Sequence, residues 1–267
     1  MRADIMAEDR YNYRRQDGRS FEVMMQVSVP FETTAGVAVC LSAIVGIQDV
    51  EFECVSEDTF GALCGALRLM KEWVIERYAQ GDRLCWITED DDPGDESDNA
   101  PVPLWLLFSC RSKMTESDKV ASEEMSAEIE YRVRSEKTEG EQQEHDERKA
   151  HSREVRDTPI TNVAATARYY SITQKGQQIP SEIILEQPYV DDAGEPVVRF
   201  TMTTWYDMPS PSSSCSIFSA LITVLRLGWF LLDHGCKHHN VQLFRDADNI
   251  HQTNPSEIYN HLFQPGD

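Results

Sequence analysis

The chain has 267 residues, enough for two small domains, and its 46 acidic residues against 25 basic ones give a formal net charge of −21. A negative charge of this size disfavours nucleic acid and anionic membranes as partners and favours a basic protein. The seven cysteines are scattered without a Cys-x-x-Cys spacing, which is typical of reduced thiols. The first residues, MRADIMAEDR, contain no apolar run resembling a signal peptide, so we expect a cytoplasmic protein.

The first hundred residues begin with the pattern of an antiparallel sheet. Gly18, in the sequence QDGR, predicts a hairpin turn between two strands because a residue with positive φ is needed there. The strand after this turn alternates apolar and polar residues from Phe21 to Val29, and Pro30 is expected to end it. A third strand is predicted over residues 37–47, and the run VEFECV adds a short fourth strand.

A helix follows, with apolar residues spaced three and four positions apart. Ser56 is expected to cap its start, and Ala62 and Ala66 allow it to approach the sheet closely. The runs DRLCWITE and PLWLLFSC after the helix are predicted to be closing strands. The predicted buried residues of the helix are Phe60, Leu63, Leu67, Met70 and Val74.

The acidic run EDDDPGDESD, residues 89–98, lies between the two predicted closing strands and is a candidate partner-binding loop. Its spacing does not fit an EF-hand, so the residues give little support to a calcium site. A solvated hairpin loop is the alternative interpretation. The candidate contact residues are Asp90, Asp91, Asp92, Asp95, Glu96 and Asp98.

Residues 112–160 differ in composition from the flanking segments. They contain the run SEKTEGEQQEHDERKAHSREVRD, rich in both signs of charge and almost free of large apolar residues. Such a composition predicts a flexible or helical linker. The sequence thus predicts a first domain over 1–111, a linker over 112–160 and a second domain over 161–267.

The second domain repeats the first at a constant offset of 158 residues. Turn glycines, a proline and the helix pattern all recur without a gap, which indicates a duplicated α+β unit, a small antiparallel sheet with one long helix packed on it. The apolar run 217–232 is therefore predicted to be the buried helix of the second unit, and not a membrane span. The aligned pairs include Tyr11 with Tyr169, Gly18 with Gly176, Pro30 with Pro188, Gly36 with Gly194, Phe60 with Phe218, Leu63 with Leu221, and Arg68 with Arg226.

Two further groups in the second unit are candidate sites. Trp205 and Tyr206 precede a proline- and serine-rich loop, where they could meet a partner or complete a core strand. The run DHGCKHHN contains types of residue that bind zinc, but the first unit has no ligand set at the matching positions, so the expectation is no metal. The alternative metal ligands are His234, Cys236, His238 and His239.

The unit resembles a family of small uncharacterised bacterial domains whose helix begins with an acidic residue followed by Ser/Thr-x-x-Ala-Leu. The residues that carry this resemblance open the first helix: Ser56, Asp58, Ala62, Leu63, Ala66 and Leu67. Small acidic domains of this kind are similar to the immunity proteins of interbacterial toxin systems. The resemblance implies a protein that neutralises a toxin by binding it. Together with the charge of −21, the repeated unit and the lack of catalytic motifs, it leads us to expect a cytoplasmic, non-enzymatic protein without a cofactor, whose partner is a basic toxin such as a nuclease.

Two alternatives remain open at the level of sequence. One is a metal- or thiol-dependent enzyme centred on residues 233–239, and the other is a structural adaptor. The chain contains no P-loop, no Gly-x-Gly-x-x-Gly run after a strand, no Gly-x-Ser-x-Gly and no His-Glu-x-x-His. These absences favour a binding protein over an enzyme.

Overall fold

The computed structural model describes residues 4–47, 50–87, 101–102, 162–172, 176–191, 194, 196–202, 217–218, 220–225, 242–244 and 252–253. The described part of the first unit contains six strands and one helix. They are β1 (Ile5–Arg14), β2 (Ser20–Ser28), β3 (Phe31–Glu32), β4 (Ala38–Val45), β5 (Val50–Ser56), α1 (Thr59–Ala79) and β6 (Arg83–Trp86).

These strands form one antiparallel sheet in which β5 and β6 lie at opposite edges. β4 pairs with β5 on one side and with both β2 and β3 on the other, and β1 joins β2 to β6. β2 and β3 lie end to end along β4 because Pro30, between them, cannot donate to the ladder. The predicted hairpin, the alternation of β2 and the stop at Pro30 are confirmed.

Helix α1 packs across β4 and β5. All five apolar residues predicted for its buried face are buried, as are Ala62 and Ala66. The Ser42 hydroxyl on β4 donates to the Ala66 carbonyl at 3.1 Å, so the small residues do face the sheet. The predicted cap was wrong: Asp58 is the N-cap and accepts a hydrogen bond from the Gly61 amide, whereas Ser56 is the last residue of β5.

The second half contains a second antiparallel sheet. Its order is β11-β8-β7-β12-β13, and β9 and β10 form a separate short pair. Residues 217, 218 and 220–225 are helical, and all of them except 217 and 223 are buried. The strands are β7 (Val163–Ile172), β8 (Gln178–Glu186), β9 (Tyr189–Val190), β10 (Pro196–Val197), β11 (Phe200–Met202), β12 (Gln242–Phe244) and β13 (Gln252–Thr253).

The strand pairs in the two halves have the same register at the offset of 158. Ile5 pairs with Ser28 and Val163 with Glu186, and a register shift follows at the next pair in both ladders. The β2–β4 pairs and the β8–β11 pairs also match at this offset, as do the β3–β4 and β9–β10 pairs. Among the described pairs, the strand after the helix departs from this offset, since β12 pairs with β7 one residue later than β6 pairs with β1.

The two halves share one hydrophobic core. Buried residues of both sheets, of α1 and of the helical residues 218, 220–222, 224 and 225 form a single cluster. The Thr59 hydroxyl at the start of α1 donates to the Thr166 carbonyl at 3.2 Å and accepts from the Thr166 amide at 2.8 Å. The rings of Phe60 and Phe200 lie 6.0 Å apart, centroid to centroid.

The fold is therefore α+β, as predicted, with the sheets contributing most of the described residues. Three predicted segments lie outside the described residues: the linker over 112–160, the acidic run 89–98 and the second closing strand of the first unit, PLWLLFSC. Pro101 and Val102, which come just before PLWLLFSC, are described. Pro101 forms a bridge to Cys85 in β6, which extends the sheet by one more segment at that side.

Candidate protein-interaction surface

The site residues predicted from the sequence lie outside the described residues. This holds for the acidic loop, for the aromatic pair and for the alternative metal ligands, so all of them stay predictions. They are Asp90, Asp91, Asp92, Asp95, Glu96, Asp98, Trp205, Tyr206, His234, Cys236, His238 and His239.

Within the described part of the chain, neither metal-binding nor membrane-spanning features are found. No three His, Cys, Asp or Glu side chains of these residues come together as a metal site would require. No helix among them combines the length and apolar character of a membrane span.

Three of the four described cysteines, Cys40, Cys54 and Cys85, have little nucleophilic character. Burial raises the pKa of Cys40 to about 12, and it also raises the pKa values of the Cys54 and Cys85 thiols. A thiol with a raised pKa stays protonated at neutral pH, and the thiolate is the nucleophilic form. These three residues are therefore poorly suited to covalent catalysis.

Exposed apolar side chains recur at the same positions of the two halves. Phe31 in β3 is 42% exposed and Tyr189, 158 residues later in β9, is 37% exposed. Ile5 and Val163, which begin β1 and β7, form a second exposed pair at this offset. Sequence reasoning missed these residues, although an aromatic residue follows the aligned proline in both units, as Pro30-Phe31 and Pro188-Tyr189.

Strand β5 supplies a second exposed feature. Its residues alternate between half-buried and exposed over all seven positions, and Glu51, Glu53 and Val55 are the exposed ones. Among the described residues, β5 pairs with β4 alone. Val39 on β4 pairs with Val55 on β5 and, on its other side, with Phe31 on β3. The exposed side chains of Phe31 and Val55 therefore lie in one row across the three strands.

Beside Tyr189 the second half has a buried ion pair that the first half lacks. Arg199 Nη1 lies 3.3 Å from Glu186 Oε2, and both side chains are more than nine-tenths buried. The matching residues of the first unit are Leu41 and Ser28, where the Ser28 hydroxyl accepts a hydrogen bond from the Leu41 amide at 3.0 Å. Burial and the neighbouring Glu186 carboxylate raise the pKa of Tyr189. The two surfaces thus share position but differ in chemistry.

A buried polar cluster ties the helix end to the first hairpin. Asp82 is 6% exposed; its carboxylate accepts a hydrogen bond from the Tyr13 hydroxyl and another from the Gln16 amide at 2.9 Å. Burial and then the Asp82 carboxylate raise the pKa of Tyr13 well above its usual range. A tyrosine that holds its proton so firmly is a hydrogen-bond donor here and not a general base, so the cluster supports the fold.

Searches of family models, of curated proteins and of solved structures found no match to this chain. The chain itself offers three features that bear on function: its net negative charge, the exposed apolar side chains that recur in both halves, and the exposed residues of β5.

Proposed function

We propose that this protein is an acidic binding protein of the immunity type, which recognises a basic toxin protein and neutralises it by occupying its surface. The formal net charge of −21 supports a basic partner. Complementary charge accelerates association, while the lifetime of a complex depends on apolar and hydrogen-bonded contacts at its centre. The proposal therefore needs apolar side chains at the surface as well as acidic ones.

We also propose that the two halves of the chain arose by duplication of one α+β unit. The common register of the strand pairs at the offset of 158 supports duplication. So do the turn glycines: Gly18 and Gly176 have φ of 84° and 73°, and Gly36 and Gly194 have φ of 76° and 83°. Positive φ at matched glycines reflects the same turn geometry in both halves. Two unrelated sheets would have no reason to share these details.

The exposed pair Phe31 and Tyr189 is the observation that carries the proposal. An aromatic side chain costs free energy when it is exposed to water, and aromatic residues are enriched among the residues that dominate binding energy. Here one occurs at the same position of each unit, next to a carboxylate at Glu32 in the first and close to Glu186 in the second. Two such points on one molecule would let it hold its partner at two places, which raises affinity through effective concentration.

The test is co-expression with the product of each neighbouring gene under an inducible promoter in a heterologous bacterium. We expect one product to arrest growth and the present protein to restore it, with a stable complex on size-exclusion chromatography. The double variant Phe31→Ala/Tyr189→Ala should weaken that complex about tenfold or more.

Ile87→Ala is the matched control, because Ile87 is 43% exposed but follows β6, on the far side of the sheet from β3. It should protect as well as the wild type. Absence of rescue and of a complex with either neighbouring product would overturn the proposal. Equal loss of binding in the control would show that Phe31 and Tyr189 have no particular role.

A further inference from the structure

We propose that the open side of β5, which faces away from β4 and pairs with no other strand among the described residues, binds an extended, basic segment of the partner as an additional strand of the sheet. This inference rests on the proposed function and identifies the kind of partner surface that is recognised. The name "open side of β5" refers here to the backbone groups of Glu53 and Val55 that point away from β4.

The direction of the backbone groups follows from the neighbouring strands. The Leu41 amide on β4 donates to the Ser28 side chain on β2, so Leu41 points its backbone groups away from β5. In an antiparallel pair, hydrogen-bonded and non-hydrogen-bonded positions alternate. Leu41 pairs with Glu53 and Val39 with Val55, so both pairs are non-hydrogen-bonded. Glu53 and Val55 therefore direct their amides and carbonyls outward, where an added strand would meet them.

The side chains at these positions define the chemistry of the added strand. Cys54 faces α1, since a Cβ atom added at Gly65 of the helix would overlap its sulfur. Glu53 and Val55 therefore lie on the opposite face, where both are exposed. Residues directly across a strand pair share a face, and opposite charges there stabilise the pair. A lysine or arginine opposite Glu53 fits this face, and a small apolar residue fits beside the half-buried Cys54.

The strand lacks several devices that usually prevent edge pairing. Residues Val50–Ser56 include no proline, lysine or arginine, and their pairing with β4 runs through all seven positions without a register shift. Its acidic side chains, Glu51 and Glu53, repel an acidic strand and attract a basic one. Strand addition of this kind is a recurring mode of peptide recognition.

The experiment measures binding of a synthetic heptapeptide of alternating lysine and valine, acetylated and amidated at its ends, to the full-length protein. A heptapeptide of alternating glutamate and valine is the control probe. We expect the lysine peptide to bind at least about tenfold more tightly at low salt, with affinity falling as salt is added. Hydrogen exchange should show new protection at the Glu53 and Val55 amides.

Two variants of one residue separate backbone pairing from side-chain contact. Val55→Pro removes the outward amide without removing a bond to β4, and proline is tolerated at such edge positions. We expect it to bind the lysine peptide about tenfold more weakly. Val55→Ala keeps the amide and should lose less than about threefold. Circular dichroism and thermal unfolding verify that both variants are folded.

Equal binding of the two peptides, equal affinities of Val55→Pro and the wild type, or protection located elsewhere in the chain would each overturn the inference. Self-association of the protein through β5, detected by sedimentation and abolished by Val55→Pro, would do the same. If a toxin complex forms and Val55→Pro leaves it unchanged, this inference fails and the proposed function stands. If the peptide results hold but no toxin is found, the proposed function fails alone.

Discussion

Asp82 is a buried carboxylate whose hydrogen-bond partners lie at the end of β1 and in the turn that follows it. It follows the end of α1, yet it accepts hydrogen bonds from Tyr13 and Gln16. A buried acceptor that loses its donor keeps the cost of its desolvation, about 1–3 kcal/mol. The hydrogen bond between Tyr13 and Asp82 therefore connects two residues far apart in the sequence. Removing this bond should lower the stability of the whole first sheet.

Tyr13→Phe tests this contact. At pH 7 we expect the free energy of unfolding to fall by about 1–3 kcal/mol, because the Asp82 carboxylate loses a donor. The pKa of Tyr13 is raised in the folded state, so its contribution is complete below the ordinary tyrosine pKa of about 10 and is lost as the pH rises above it. The wild type should therefore lose stability faster than Tyr13→Phe above pH 10. Urea titrations at pH 7 and pH 10.5 measure both effects, and parallel pH dependences in the two proteins would contradict the assignment.

At the scale of elements, helix α1 and strand β5 approach each other closely where Gly65 faces Cys54. A Cβ atom added at Gly65 would overlap the Cys54 sulfur and would lie 3.4 Å from the Cys54 Cβ. Glycine inside a helix is itself unfavourable by about 1 kcal/mol relative to alanine. A glycine is nevertheless needed at this position, because a larger residue would occupy the space of the Cys54 side chain.

A double-mutant cycle on Gly65 and Cys54 tests the close approach. Gly65→Ala alone should destabilise the protein by about 1–3 kcal/mol, as overpacking commonly does. In a Cys54→Ala background the same change should be neutral or stabilising, since the overlapping sulfur is gone and the gain in helix propensity remains. Urea unfolding of the four proteins gives the coupling energy. Additive effects would mean that α1 and β5 do not meet at these residues.

The helix also illustrates what the sequence could and could not predict. The spacing of its apolar residues identified the buried face correctly, because one helix face is a local property. Ser56 was wrongly predicted as the cap because β5 runs on through it, paired with Ala38. Whether a strand ends at residue 56 depends on its partner strand, which a local pattern does not specify. The exposure of Phe31 and the open side of β5 depend on sheet order in the same way.

At the scale of the whole molecule, the two sheets behave as one packed body. The core cluster includes residues of both halves, and the start of α1 bonds to Thr166 of the second half as well as packing on its own sheet. The ring of Phe60, which is 1% exposed, lies against that of Phe200, which is 6% exposed. The local pattern of the sequence predicts two similar units, since each half repeats the same short-range pattern. It does not predict their contact, because Phe60 and Phe200 meet only after both sheets have formed.

The shared core predicts a single cooperative unfolding transition. If the halves unfolded separately, each would expose the apolar surface that the other covers, so neither is expected to outlast its neighbour. Phe60→Ala and Phe200→Ala should each lower the midpoint of that one transition, with a loss of about 3–5 kcal/mol apiece. Because the two rings are in contact, the double variant should lose less than the sum of the single losses. Urea unfolding followed by fluorescence and by circular dichroism measures this. Two separate transitions, with Phe200→Ala shifting only one of them, would instead show that the halves are independent domains.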